Sequence, residues 1–315
     1  MIYIATTISD QKVNLGYAYS AQINKSFETP ADCLNVIFPS NKKHEEYKNI
    51  DVYINENEKF FSGVVDEQRL EVTSSGCFLT IIARNKAAYL IDNEASPQDY
   101  TRPSLDIIFK RHVKPYGFTA IYGDLSVFST IIEVTKGMSE WDVLEKFCST
   151  CLNIFPTVNA DGTIDATGSA SFKKLYFSNV KGAVNYSSFV EKNYRYRLIS
   201  EIIVCAPYEA IYIAKVKDQN LIDKGISRRK FISISADNDH AEKYSISTAE
   251  QMISNAKKKA HEIIITCPGA IFAQVGNKCE IDDSILGKVE NLEVYEVEYK
   301  LNRNGEFTVI TLLEE

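Results

Sequence analysis

The segment from Phe60 to Asp92, FFSGVVDEQRLEVTSSGCFLTIIARNKAAYLID, restricts the possible folds more than any other part of the chain. Val64, Leu70 and Val72, then Phe78, Leu79, Ile81 and Ile82, form short apolar runs on either side of Ser74-Ser75-Gly76. Two such runs around a small polar cluster predict a β-hairpin. A related pattern recurs from Leu286 to Leu313, LGKVENLEVYEVEYKLNRNGEFTVITLL, with a turn expected at Asn304-Gly305. Gly76-Cys77-Phe78-Leu79-Thr80-Ile81 and Gly305-Glu306-Phe307-Thr308-Val309-Ile310 share the same spacing. A duplicated β-domain accounts for the echo. Any two antiparallel hairpins share this patterning, however, so the hairpins alone leave duplication and coincidence both open.

Strand signals fill residues 1–92: Thr6 to Ile8, Leu15 to Ile23, Leu34 to Phe38, Ile50 to Ile54, Lys59 to Val65, Leu70 to Thr73 and Cys77 to Ala83, followed by a short helix from Asn85 to Asp92. Strands this closely spaced predict an antiparallel barrel or sandwich. Residues 93–170 carry mixed signals. Pro103 at a first helical position precedes Leu105, Ile108, Phe109 and Val113, and Ser139 with Asp142 caps a second helix carrying Trp141, Leu144, Phe147, Cys148, Cys151 and Leu152. Short strands are expected at Thr119 to Tyr122 and Thr130 to Val134, with a hairpin around Asn159-Ala160-Asp161-Gly162.

Residues 171–315 return to β character. Leu175 to Phe177, Val184 to Val190, Tyr196 to Cys205, Ala210 to Lys217, Phe231 to Ser235, Ile271 to Val275 and Lys278 to Ile281 are the strand candidates. A helical insertion is expected around 237–268, its helix running from Thr248 to about Ile263 with Ala249, Met252, Ile253, Ala256, Ala260 and Ile263 on one face. The expected fold class is therefore β-dominated α+β: two antiparallel β-barrel domains, 1–92 and 171–315, flanking a small α+β insert, 93–170.

The chain's 315 residues are enough for two or three domains, and 45% hydrophobic with 24% charged residues is the balance of an ordinary soluble globular protein. The 18 Tyr and 16 Phe against one Trp suit half-buried sheet surfaces. A net charge of −7 gives no global attraction to nucleic acid or anionic lipid, and the short basic runs Arg228-Arg229-Lys230 and Lys257-Lys258-Lys259 have acids nearby. Seven irregularly spaced cysteines predict reduced thiols and a cytoplasmic folding environment. No signal peptide and no membrane-spanning apolar run is expected.

No motif specifies chemistry. Cys148-Ser149-Thr150-Cys151 closes a helix rather than opening one, and no second pair or suitably spaced histidine accompanies it, so core packing is expected over redox or metal binding. Asp237-Asn238-Asp239 lacks the EF-hand spacing, with Glu242 at the sixth position and Thr248 at the twelfth. Asp282-Asp283 is expected in a solvated turn. The histidines His44, His112, His240 and His261 are scattered, and G-x-S-x-G, H-E-x-x-H, P-loop and dinucleotide-binding patterns are absent from the sequence. No catalytic, cofactor-binding or metal residue is nominated.

With the order barrel, insert, barrel in place, the sequence resembles the baseplate hub proteins of contractile tails, found in Mu-like phages, phage-tail-like bacteriocins and, more distantly, type VI secretion spikes. The resemblance is carried by Phe61-Ser62-Gly63-Val64-Val65 leading into Thr80 to Asp92, by Ser104 to Ile108 with Tyr116-Gly117, and by Gln274-Val275-Gly276, Asp282-Asp283 and Leu286-Gly287 before the final hairpin. It implies tube-like barrels and a homotrimer with pseudo-six-fold symmetry. It also implies the partners: a hexameric tail tube or tube-initiator protein, a central trimeric spike and baseplate wedge proteins. Neither an enzymatic role nor a cofactor is implied, and the localisation implied is bacterial cytoplasm during assembly, then a virion or extracellular tail-like particle. The acids Glu290, Glu293, Glu296 and Glu298 fit either a lumen or an ordinary solvent face. A tail-associated peptidoglycan hydrolase and a carbohydrate-binding β-module are the alternative functions.

Overall fold

The computed structural model describes residues 1–168, 174–180, 182–205, 212–233, 241–285 and 287–314. Thirteen strands form one sheet: β1 Ile2–Thr7, β2 Lys12–Asn14, β3 Ser20–Ser26, β4 Thr29–Ser40, β5 Tyr47–Tyr53, β6 Lys59–Thr73, β7 Gly76–Asn85, β8 Leu175–Ser178, β9 Ser188–Asn193, β10 His261–Pro268, β11 Lys278–Asp283, β12 Gly287–Asn302 and β13 Gly305–Glu314. The hydrogen-bonded order is β9-β10-β13-β12-β3-β4-β7-β6-β5-β1-β2, with β8 and β11 branching from β12. The two segments expected as separate barrels are thus joined edge to edge. β12 pairs antiparallel with β3, and one core holds Ile23, Leu34, Val36 and Ile81 together with Ile265, Val297, Tyr299 and Ile310.

The hairpin signals are realised with small shifts. Lys59 to Val65 and Leu70 to Thr73 are one continuous strand, β6, interrupted by a bulge at Asp66. Its turn is Ser74-Ser75, since Thr73 faces Gly76. The second turn is Arg303-Asn304, not Asn304-Gly305, because Gly305 already pairs with Asn302. Both flanking glycines have positive φ, 137° at Gly76 and 113° at Gly305, a region that costs other residues steric strain.

The insert has its own core, built from Leu90, Leu105, Ile108, Trp141, Leu144, Phe147 and Ile164. Ser139 and Asp142 form a reciprocal capping box on the helix Glu140–Phe147. On the preceding helix the cap is Ser104, whose side chain accepts from Ile107 N, so Pro103 lies before the helix rather than in it. Inside this unit His112 Nδ1 lies 2.5 Å from Glu140 Oε2 and its Nε2 lies 2.7 Å from the Tyr100 hydroxyl, while Tyr116 donates to Glu140 Oε1 at 3.0 Å. A buried ring bonded at both nitrogens leaves no costly unsatisfied polar atom.

A third, smaller core of Ile199, Ile202, Val204, Ala249 and Ile253 lies under the helix Ala241–Lys258. That helix begins earlier than expected and ends at Lys258, so Ala260 and Ile263 are not on its face. Residues 261–268 form β10 instead. Ile263, Ile265 and Cys267 alternate into the main core, and a β-branched run with period two suits a strand better than a helix. Ile271 to Val275 is a loop rather than a strand: Ile271 N donates to Thr308 Oγ1 and Gln274 N to Asn277 Oδ1, so side chains take the ladder's place. Tyr196 lies in a short 3-10 turn, and its strand starts only at Glu201. The Asp237-Asn238-Asp239 segment, His240, Ala206, Ala210, Ser235 and Leu286 lie outside the described residues.

Gly63 shows how tightly β6 is held. A Cβ there would meet Arg84 O and the Phe61 ring, each at 2.6 Å. Gly63→Ala is therefore expected to destabilise the protein by about 1–3 kcal/mol, as overpacking of cores does, read as a lower midpoint in urea unfolding.

Candidate assembly edges

The echo between the hairpins extends to whole sheets. β3, β4, β5, β6 and β7 lie side by side as β3-β4-β7-β6-β5, all antiparallel, and β9, β10, β11, β12 and β13 lie as β9-β10-β13-β12-β11, again all antiparallel. Chain order and spatial order match strand for strand. The registers match as well: Ile81 faces Val36, which faces Ala21, while Ile310 faces Ile265, which faces Phe189. In β6 the bulge is at Asp66 and the turn follows Thr73; in β12 the bulge is at Tyr295 and the turn follows Asn302. The bulge-to-turn spacing is the same, seven residues in each (73 − 66 and 302 − 295). Bulges are specific features that fix twist and register, and unrelated hairpins have no reason to share their placement.

The repeats meet where β12 lies beside β3, in the register Glu296 to Ser26 through Leu301 to Ala21. Side chains reinforce this joint. Gln22 Nε2 donates to Glu298 Oε1 at 2.7 Å, and the Phe27 ring stacks on Tyr295 with centroids 6.0 Å apart. Tyr295 Oη and Lys259 Nζ both donate to Glu28 Oε1, at 2.7 and 2.6 Å. The Lys259 bond, then that from Tyr295, holds the Glu28 carboxyl below its ordinary pKa. Beneath the joint Lys25 is buried, donating to Phe60 O with its Nζ 4.1 Å from the Phe60 ring centroid. Burial lowers its pKa, with Asp32 opposing, and raises that of Asp32. A cleft of about 1030 Å³ opens beside the joint, bounded by Phe27, Glu28, Trp141, Phe155, Tyr196 and Lys259 from all three segments.

Besides β2, which ends the sheet and pairs with β1 alone, two edges carry no strand partner among the described residues where the equivalent edge of the other repeat has one. One is the distal half of β6, Glu67–Thr73, since β5 covers only the part up to Val64. The other is β9, which pairs with β10 alone. Leu70 is 39% exposed and Val72 78%, although both stand on the core side of the sheet, opposite Leu79 and Cys77. Their counterparts in the second repeat, Tyr299 and Leu301, have β3 alongside, and Tyr299 is fully buried. These residues were not singled out as functional in the sequence. The signal available there was the echo anchored at Gly76 and Gly305, which aligns Leu70 with Tyr299.

Among the described residues, those weighed for chemistry make structural contacts. Cys148 is buried and Cys151 half-buried in the insert core, and burial pushes their thiols up to about 12 and about 11, away from reactive thiolate. Asp282 and Asp283 end β11 rather than lying in an open turn. The Tyr176 hydroxyl donates to Asp282 at 3.0 Å, and the Tyr186 hydroxyl donates to Asp283. In the basic runs Arg229 pairs with Glu201, Lys257 with Asp218 and Lys259 with Glu28. His261 lies 2.8 Å from both Glu191 and Glu314, and His44 contacts Ser40 and Tyr47. Among the described residues no group of three His, Cys, Asp or Glu is placed to hold a metal, and no helix is long and apolar enough to cross a membrane.

No protein-family model matches this sequence, and neither does any curated protein. Solved structures do match. A tail protein from Neisseria meningitidis MC58 superposes with a TM-score of 0.79 at 17% identity, over 99% of this chain and 97% of that one. The 43 kDa tail protein of prophage MuSo2 from Shewanella oneidensis gives 0.79 at 15%, over 99% and 97%. An E. coli component of the type VI secretion system, described as structurally similar to the T4 tail proteins gp27 and gp5, gives 0.58 at 7%, over 95% and 73%. The fold is that of phage tail proteins. Within that class it is the baseplate hub-like fold, with the duplicated sheet described above.

Of the acids on β12, Glu290 pairs with Lys288, Glu293 lies 3.7 Å from Lys278 and Glu298 lies 2.6 Å from Lys300. Glu296 differs: burial first, then the nearby Glu298, Glu28 and Glu262, raise its pKa. A carboxyl raised in the folded state favours folding only while protonated, so its contribution is lost as pH rises through the folded pKa. Glu296→Gln is accordingly expected to raise the melting temperature at pH 7 and to change it less at pH 4, as measured by differential scanning calorimetry.

Proposed function

We propose that this protein is the structural hub of a contractile-tail baseplate, a homotrimer with pseudo-six-fold symmetry that joins a hexameric tail tube to a trimeric spike. The observation that carries this reading is the five-strand repeat. Three copies of a two-repeat chain present six equivalent sheets, so one face can match a six-fold tube while the assembly keeps the three-fold symmetry of a spike. The likeness of the fold to phage tail proteins supports the same reading.

In this proposal residues 1–92 and 171–315 are the two tube-like domains and residues 93–170 the insert on their flank. The role is mechanical, without catalysis or cofactor. Its partners are the tail tube or its initiator, the central spike and the baseplate wedges. The protein assembles in the bacterial cytoplasm and ends in a virion or extracellular tail-like particle.

The expected result from multi-angle light scattering is a mass three times that of the 35.5 kDa chain, with rings in negative-stain images. A monomer that forms no ring even with its tube and spike partners present would overturn the proposal.

A further inference from the structure

The joint inside one chain supplies a template for the contact between chains. β12 and β3 are the counterparts of β6 and β9, and β12 pairs with β3 whereas the matching edges of β6 and β9 have no strand beside them among the described residues. We infer that the Glu67–Thr73 edge of β6 in one copy pairs antiparallel with β9, Ser188–Asn193, of the next copy, repeating the β12–β3 register between subunits. This inference rests on the trimeric reading above and names the surfaces that close the ring.

The register follows from the two repeats. Glu296, Lys300 and Leu301 face Ser26, Gln22 and Ala21. The matching bulges and turns align these β12 residues with Glu67, Glu71 and Val72, and the matching ladders align Ala21 and Gln22 with Phe189 and Val190. Val72 then faces Phe189 on the core side, one row along from where Leu70 faces Glu191. On the opposite side Glu71 faces Val190, and Lys192 faces Arg69, a like-charge repulsion that the diagonal acids Glu67 and Glu71 offset.

Three observations favour a second copy as the occupant. Leu70 and Val72 are apolar, exposed and core-facing, which is the condition Tyr299 and Leu301 would share without β3 beside them. Phe189 packs against the rim of the main core, on the side where the register sets it against Val72, so β9 offers one apolar side chain to that row. The contact is also head to tail: two different edges meet, each copy has one of each, and such contacts close into rings when the rotation allows. An unpaired strand edge this long is otherwise a template for aggregation.

The test is disulfide cross-linking of the full chain, with exposed Cys33 and half-buried Cys77, Cys151 and Cys205 changed to serine to remove competing thiols. Glu71→Cys combined with Val190→Cys is expected to yield dimers and covalent trimers on a non-reducing gel, whereas Glu71→Cys with Lys192→Cys, two residues out of register, is expected to yield few. A protein that light scattering finds trimeric but that forms no 71–190 cross-link, or that cross-links through Glu71→Cys alone, would overturn the inference and leave the trimeric reading standing. A monomer would overturn both. A second variant is independent of disulfide geometry. Leu70→Asp with Val72→Asp alters residues exposed in the single chain, so it is expected to convert trimer to folded monomer with an unchanged circular dichroism spectrum; an intact trimer would overturn the inference.

Discussion

The backbone ladder between β12 and β3 is the interaction on which the rest of this structure depends. Every strand has two edges, and each unpaired edge exposes amide and carbonyl groups that need partners. By closing one repeat onto the other, the ladder turns two five-strand units into a single sheet over a single core. Tyr299 and Ile23, facing each other across it, are both fully buried as a result. The Glu28, Lys259 and Tyr295 cluster adds direction to this joint rather than much stability, because Glu28 and Lys259 remain largely in solvent, where ion pairs contribute little.

Duplication explains why the chain tolerates large insertions. The insert core and the small sheet of Glu201–Cys205, Tyr212–Lys217 and Arg229–Ser233 under the Ala241–Lys258 helix are both attached at strand ends, leaving the ladders of the two repeats uninterrupted. In the first repeat β3 passes to β4 through Phe27-Glu28 alone, whereas in the second repeat the equivalent connection, from β9 to β10, carries everything between Tyr194 and Ala260. Lengthening a surface loop costs little entropy, so added elements do not disturb a sheet whose registers are fixed by core residues and bulges.

Where the sequence offered hints of chemistry, the described residues are engaged in structural contacts. The thiols at Cys148 and Cys151 fill the insert core, the paired acids at the end of β11 accept from tyrosines, and the basic runs are tied to neighbouring carboxylates.

Much of this was legible in the sequence. Period-two patterning and the Gly76 and Gly305 turns located both hairpins, and Ser139 with Asp142 located a helix start, because each of these is a local matter of backbone conformation and capping. The sequence alone left the helix end near Ile263 wrong, since Ala256, Ala260 and Ile263 fit a helical period that tertiary pairing of β10 overrode. It also had no means of showing that β12 lies against β3, or that Leu70 and Val72 face the core side yet stay uncovered. The joint depends on contacts between residues more than 200 positions apart, such as Gln22 with Glu298, and only the tertiary structure decides which edges find a partner within the chain.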